Sequence, residues 1–190
     1  VRRPEIVIQS LISVTERIIV DNPRDYLDFL QDLFPYLEKY LVTDYLPKLV
    51  ERISYMMEQY QLNTICDRAL LLDYKAELFV LRKDFDNALK KRKKAIQLME
   101  KLHTPEADVS SASLLSNLYN NLSNTYLYLK QGKDAAQALR TAFDIRIEYA
   151  HLGLLESHDT LQQMMNLTNM LLLGKEWEQA RQILALYESL

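Results

Sequence analysis

The sequence is poor in the residues that break helices or crosslink chains. Only 3 of its 190 residues are glycine, 5 are proline and 1 is cysteine. The scarcity of glycine and proline favours helix almost throughout, and the single Cys66 excludes an internal disulfide framework and fits a reducing compartment. No stretch approaches the ~18 consecutive apolar residues that a membrane-spanning helix needs. A net charge of -3 argues against binding of polyanions, so we expect neither a nucleic-acid nor a membrane partner.

What the chain does contain is a short helix-pair signature that occurs three times. Its small residue recurs at Ala88, Ala135 and Ala180, in steps of 47 and 45 residues. Self-similarity at a spacing of this order indicates stacked helical hairpins, because a single short hairpin cannot bury its apolar face alone. The three copies read Lys83-Asp84-Phe85-Asp86-Asn87-Ala88-Leu89, Gly132-Lys133-Asp134-Ala135-Ala136 and Gly174-Lys175-Glu176-Trp177-Glu178-Gln179-Ala180.

Apolar periodicity and turn residues divide the chain into about nine helices and no strand. We predict a degenerate helical lead-in or capping repeat over 1–62, with a helix from Pro4 to Val20 and a kink or restart at Pro35. The remainder, 63–190, is predicted to form three helix hairpins. Their approximate ranges are 64–102, 107–151 and 157–190.

The middle copy carries the clearest family pattern. It consists of Asn120-Asn121-Leu122-Ser123, Tyr126, Gly132-Lys133, Ala135, Leu139 and Ala142-Phe143-Asp144-Ile145-Arg146. This pattern resembles the tetratricopeptide repeat (TPR), in its longer kinesin-light-chain-like variant. The earlier copy has Lys83 where the turn glycine would stand, and the later copy has Met164-Met165 in place of the Asn pair. The resemblance implies an all-α, right-handed superhelix of antiparallel hairpins whose first helices line a concave face that binds a protein or peptide.

A second, weaker resemblance lies at the beginning of the chain. Arg3-Pro4-Glu5-Ile6-Val7 is similar to a segment that precedes the TPR region in bacterial NB-ARC-type switch ATPases, with Arg3 in place of the usual His. The chain begins at Val1 without a signal-peptide pattern. We therefore expect a cytoplasmic segment of a longer protein, either such a signalling ATPase or a helix-turn-helix transcription regulator.

The candidate binding residues are asparagines on the first helix of the middle hairpin. Asn117, Asn120 and Asn124 share one face because they are three or four residues apart, and Asn121 is adjacent. Asparagine is unfavourable inside helices, but its amide can donate to and accept from a peptide backbone at once. We therefore predict a peptide clamp, with polar contacts between repeats or plain exposure as the alternatives. Neighbouring first helices would extend the clamp through Asn166, Asn169, Asp73 and Tyr74.

Other prominent residues have structural interpretations. The three alanines are predicted to allow close helix approach, while Phe85, Tyr126 and Trp177 fill the adjoining space. The segment from Arg82 to Lys94 contains seven basic and two acidic residues, including five consecutive cations. Within it, Arg92 follows the apolar spacing, so we expect its stem to lie along the core edge with its head in water. An anion-binding patch is the alternative to a solvated face.

No pattern indicates catalysis. The three histidines, His103, His151 and His158, lie near predicted helix ends, and none belongs to a zinc-ligand pattern or lies near Cys66 in sequence. The sequence also lacks a glycine-rich phosphate loop. We expect no catalytic residues, no metal and no cofactor. Three hypotheses remain: a protein- or peptide-binding scaffold, a ligand-sensing or regulatory arm, and a self-association module that forms homodimers through its last helix.

Overall fold

The computed structural model describes residues 10, 22–39, 42–102, 108–150, 153 and 158–188, with backbone alone at 158, 159 and 186–188. Within these ranges the structure contains eight α-helices and no strand, which confirms the predicted all-α fold. The helix predicted from Pro4 to Val20 lies outside the described residues except for Ser10, and so does the Arg3-Pro4 segment.

The eight helices follow one another along the chain, and a 3-10 turn at Thr43–Tyr45 precedes the second of them. Helix α1 runs through Pro35 as one element, so the chain does not restart there. The helices are α1 (Pro23–Lys39), α2 (Leu46–Gln59), α3 (Ile65–Leu81), α4 (Phe85–Met99), α5 (Val109–Tyr128), α6 (Gly132–Glu148), α7 (His158–Leu173) and α8 (Trp177–Glu188).

Side-chain caps fix the starts of three helices. Thr64 and Asp67 form a reciprocal capping box at the start of α3, where the Thr64 hydroxyl accepts from the Asp67 amide at 3.1 Å. Asp84 accepts from the Asn87 amide before α4, and Asp108 accepts from the Ser111 amide before α5. These bonds satisfy amides that have no partner within the helix, so the hairpin boundaries are set locally.

Packing is between neighbours in sequence, as in a helical repeat array. The first apolar cluster consists of residues of α1 and α2 together with Tyr74 of α3. The second contains residues of α3, α4, α5 and α6, and the third contains residues of α6, α7 and α8. Successive clusters share helices, because each hairpin buries its open face against the next. We call α1, α3, α5 and α7 the first helices, and α2, α4, α6 and α8 the second helices.

The turns inside the three hairpins have the same backbone conformation, but the residue with a positive φ is a lysine rather than a glycine. Lys83, Lys130 and Lys175 have φ of 60°, 60° and 63°, the left-handed region that glycine usually occupies. Each of these lysines lies five residues before one of the repeat alanines. Gly132, by contrast, is the first residue of α6, and Gly174 directly precedes its turn lysine. The two glycines that the sequence pattern equated are therefore not equivalent.

The small residues of the signature behave as predicted, and among the large ones Tyr126 is half-buried and packs against the second apolar cluster, whereas Trp177 does not fill such a space. Ala88, Ala135 and Ala180 are all buried, which is consistent with close helix approach. Trp177, however, is 61% exposed, so the prediction that it fills the adjoining space was wrong. Phe85 is half-buried and stacks on Tyr128 of the following helix, with ring centroids 5.0 Å apart.

Candidate functional site

The first helices are joined to one another by side-chain hydrogen bonds. Between α1 and α3 the acceptor is Asp67, which receives Arg24 Nη1 at 2.7 Å and Gln31 Nε2 at 3.0 Å. Burial of Asp67 alone would raise its pKa, but the bonds from Arg24, Thr64 and Gln31 together lower it. The Tyr74 hydroxyl adds a bond to the Gln31 carbonyl at 2.9 Å. These contacts connect the predicted lead-in to the first hairpin.

Between α3 and α5 the connection runs through a buried arginine of the second helix α4. Arg92 is 3% exposed. It donates to Asp73 at 3.1 Å, to Glu77 at 2.5 Å, to the Asn121 carbonyl at 3.0 Å and to the Thr125 hydroxyl at 2.5 Å. Asn121 Nδ2 also donates to Asp73 at 2.8 Å. The expectation that the head of Arg92 reaches water was wrong, because two carboxylates and two neutral oxygens replace that water.

Between α5 and α7 a second buried arginine makes a similar bridge, from a position about two turns further along its helix than that of Arg92. Arg146 of α6 is 0% exposed. It donates to Ser116 at 2.9 Å and Asn117 at 2.7 Å on α5, and to Thr160 at 2.9 Å and Gln163 at 3.0 Å on α7. Both arginines thus extend from a second helix to bridge their own first helix and the next one. Arginine suits this role because its planar head presents five donors in a fixed geometry.

Four of the predicted binding residues take part in these internal contacts. Asn117 Oδ1 accepts from Arg146 and, at 3.1 Å, from Gln163, and Asn121 and Asp73 belong to the Arg92 network. Tyr74 is buried and stacks on Phe34 with ring centroids 4.1 Å apart. In the structure, these side chains hold helices together rather than face solvent.

The other four predicted residues are placed differently from one another. Asn124 is exposed, whereas Asn120 is half-buried with its Oδ1 enclosed and without a hydrogen-bond partner among the described residues. Asn166 is half-buried and accepts from Gln162 at 3.1 Å. Asn169 is exposed and lines a pocket of about 320 Å³ between α7 and α8. The eight residues therefore do not form one continuous set of free amides.

The side of a first helix that is not covered by its neighbours lies between the residues that bond to the preceding first helix and those that bond to the following one. On α5, Asn121 contacts α3 and Ser116 contacts α7, and at 100° per residue Asn124 and Tyr128 lie between these two residues. Both are exposed, as is Leu81 in the corresponding position on α3. We call the exposed and half-buried residues on the corresponding sides of α1, α3 and α5 the first-helix surface. Its members are Asp28, Asp32, Leu70, Glu77, Leu81, Asn124 and Tyr128.

The part of this surface on α1 and α3 is acidic. Partial desolvation of the Glu38 carboxyl, followed by repulsion from Glu77 and Asp73, raises the pKa of Glu38 to about 7, and the positive charge of Arg92 opposes this rise. The residue as a whole is exposed, so water screens the repulsion in part. The carboxylates here, together with the amide, phenol and aliphatic groups on α5 and α3, offer negative charge, hydrogen bonds and apolar contact.

The two buried arginine networks are the features that sequence reasoning missed. A signal was present, because Arg92 and Arg146 both fall on the apolar stripes of their helices, where a charged residue needs a buried partner. The partners themselves could not be found in the sequence. Asp73 and Thr125 lie 19 and 33 residues from Arg92, and no local periodicity connects them.

The described part of the chain contains neither a metal-binding cluster nor a membrane-spanning helix. Within it, no three His, Cys, Asp or Glu side chains are grouped as a metal site would require. Nor does any helix in those ranges have both the length and the apolar character needed to cross a membrane. His103 and His151 lie outside the described residues, and the side chain of His158 is not described either.

Comparisons with known proteins identify no family for this chain. No family model matches it, and no curated protein matches it. Among solved structures, it is similar to the crystal structure of BtubC (BKLC) from P. vanneervenii, with a TM-score of 0.48 and 18% sequence identity. The similarity covers 85% of this chain and 54% of that one, so the chain spans about half the length of the matched structure.

Proposed function

We propose that this chain is a non-catalytic binding module that holds a protein or peptide segment against its first-helix surface. The observation that supports this proposal is the series of side-chain bonds running from α1 to α3, α3 to α5 and α5 to α7. Because these bonds fix the spacing of the first helices, the surface is preorganised and loses little conformational entropy when a ligand binds.

The chemical character of the surface changes from one first helix to the next. Asn124 supplies an amide that can donate to and accept from a peptide backbone, and Tyr128 supplies a large amphipathic contact beside it. Leu81 adds apolar area, while Asp28 and Asp32 give the α1 end a negative charge. We therefore expect a segment with apolar side chains in its middle and a cationic residue toward α1.

Selection of peptides from a displayed random library against this chain would test the proposal. Selected peptides are then measured by fluorescence anisotropy with wild type, with Asn124→Ala/Tyr128→Ala, and with the matched control Gln97→Ala on the exposed side of α4. We expect the double variant to bind at least about tenfold more weakly, as loss of a central aromatic contact implies. Equal binding by all three proteins, each with a wild-type circular dichroism spectrum, would refute the proposed surface.

A second candidate function, self-association, is favoured by an exposed apolar position on α8. In the α5–α6 hairpin, Leu139 is buried in one cluster with Met164 and Leu167 of the next first helix. The repeat step of 45 residues that relates Ala135 to Ala180 also relates Leu139 to Leu184, which is 47% exposed beside the 320 Å³ pocket. An apolar face that is covered in one hairpin and open in the next suits contact with another helix.

Sedimentation velocity over a range of protein concentrations tests this second candidate. We expect a dimer that Leu184→Glu disrupts and that the control Gln182→Glu, which adds the same charge at an exposed position on α8, leaves intact. A monomer at every concentration would exclude self-association through this face.

A further inference from the structure

A small pocket on the side of the first hairpin is lined by three cations and two apolar side chains. Its volume is about 190 Å³, and its lining residues are Lys75, Leu78, Phe79 and Arg82 of α3 and Lys91 of α4. Lys75 and Lys91 are half-buried, whereas Arg82 is exposed. On α3, Phe79 is nine residues from Leu70 and so lies on the opposite side of the helix. The pocket is therefore separate from the first-helix surface.

The three cations have no counter-charge in the described part of the chain. Among the described residues, the side chains of Lys75, Arg82 and Lys91 form no ion pair and no hydrogen bond. The residues three and four positions from Lys75 and from Lys91 include no carboxylate, so neither lysine has an acidic side chain one turn away on its own helix. Arg92, the neighbour of Lys91, is by contrast paired with two carboxylates. Three like charges around one small pocket repel one another unless an anion lies among them.

We propose that this pocket binds a phosphate monoester carried on a small apolar group. Phosphate is favoured over a single carboxylate because its charge of about -1.5 to -2 at pH 7 offsets more of the three positive charges. Arg82 can donate two parallel hydrogen bonds to phosphate oxygens, and the lysines act as mobile point charges. Leu78 and Phe79 provide the apolar side of the pocket. The volume is below the ~300 Å³ of drug-sized sites, so it fits one headgroup or one phosphorylated side chain.

The experiment titrates phenyl phosphate into the full chain by isothermal calorimetry at low ionic strength. The pocket variant is Lys75→Gln/Lys91→Gln, and its matched control is Lys90→Gln/Lys94→Gln, which removes the same charge from exposed positions of α4. We expect affinity to fall at least about tenfold in the pocket variant and less than about twofold in the control. Equal losses in both variants, or no heat at ~10 mM phenyl phosphate, would overturn the proposal.

Two further arms test the apolar side and the source of the phosphate. Phe79→Leu is expected to weaken phenyl phosphate while leaving inorganic phosphate unchanged, and an equal effect on both would remove Phe79 from the site. A phosphotyrosine peptide compared with its unphosphorylated form separates a phosphorylated partner from a small metabolite. Circular dichroism of each variant shows whether it is folded, and Arg82→Gln, at an exposed position, provides a second pocket variant if Lys75→Gln/Lys91→Gln unfolds.

Discussion

Replacing Arg92 by methionine should destabilise the array more than almost any other single change. Methionine fills a similar volume but leaves Asp73 and Glu77 without their cation in a mostly buried place, where the Arg92 side chain is only 3% exposed and theirs are 12% and 16%. Breaking one partner of a buried ion pair costs about 3–5 kcal/mol. Because both carboxylates keep some contact with water, and Asn121 still bonds Asp73, we expect the lower part of that range, about 3 kcal/mol.

Urea denaturation followed by circular dichroism measures this cost, and hydrogen exchange shows whether α3, α4 and α5 open first. Arg181→Met is the matched control, since its side chain is 80% exposed and its ion pair is 3.7 Å long; we expect no measurable change. Adding Asp73→Leu to Arg92→Met should recover part of the loss, because one of the two unpaired charges is then removed while that of Glu77 stays. A loss below about 1 kcal/mol for Arg92→Met would refute the view that this network joins the repeats.

Three further predictions concern single positions. Ala135→Leu should lower the free energy of unfolding by about 1–3 kcal/mol because it overpacks a buried helix contact. The control Ala136→Leu, at the half-buried neighbouring position, should lower it less, and urea denaturation measures both values. Lys130→Gly should be neutral or stabilise by up to ~1 kcal/mol because φ there is 60°, while Lys133→Gly inside α6 should destabilise by a similar amount. The folded pKa of Glu38 is about 7, above its ordinary value of 4.5, so the folded state binds the extra proton and stability falls as pH rises between these values. Glu38→Gln should therefore stabilise at pH 8 but not at pH 4, and equal effects at both pH values would contradict the shift.

Local signals were sufficient to predict that the chain is helical. The segment 107–151, for which two helices are predicted, contains the helices Val109–Tyr128 and Gly132–Glu148, because apolar spacing, caps and turns act over a few residues. The turn register was misjudged for a local reason as well. A left-handed turn residue is usually glycine, and lysine carries no sequence cue for that conformation. The hydrogen bonds of the turn compensate for its strain, as when the Gln131 amide donates to the Tyr126 carbonyl at 2.9 Å.

The candidate site was less predictable because its residues depend on neighbouring helices. Asn117 and Asn124 are seven residues apart and lie within about 20° of each other on α5, so periodicity cannot distinguish them. In the structure, Asn117 is bonded to Arg146 and Gln163, whereas Asn124 is exposed. The difference arises from the neighbouring helices, because α6 brings Arg146 and α7 brings Gln163 within hydrogen-bond distance of Asn117. Their roles as ligand contacts remain predictions.

The arrangement of the arginines also explains how the first-helix surface can be rigid although most of the bonds that fix it are made by residues outside it. Arg92 and Arg146 lie on second helices, behind the first helices that they bridge. Each makes bonds to two first helices at once, so a shift of one first helix relative to the next would stretch several charge-assisted bonds together. Lysine could not do the same, because its single ammonium lacks the fixed geometry of a guanidinium. The spacing of the first helices is thus determined from the interior, and exposed positions such as Asn124 and Tyr128 are free to vary with the ligand.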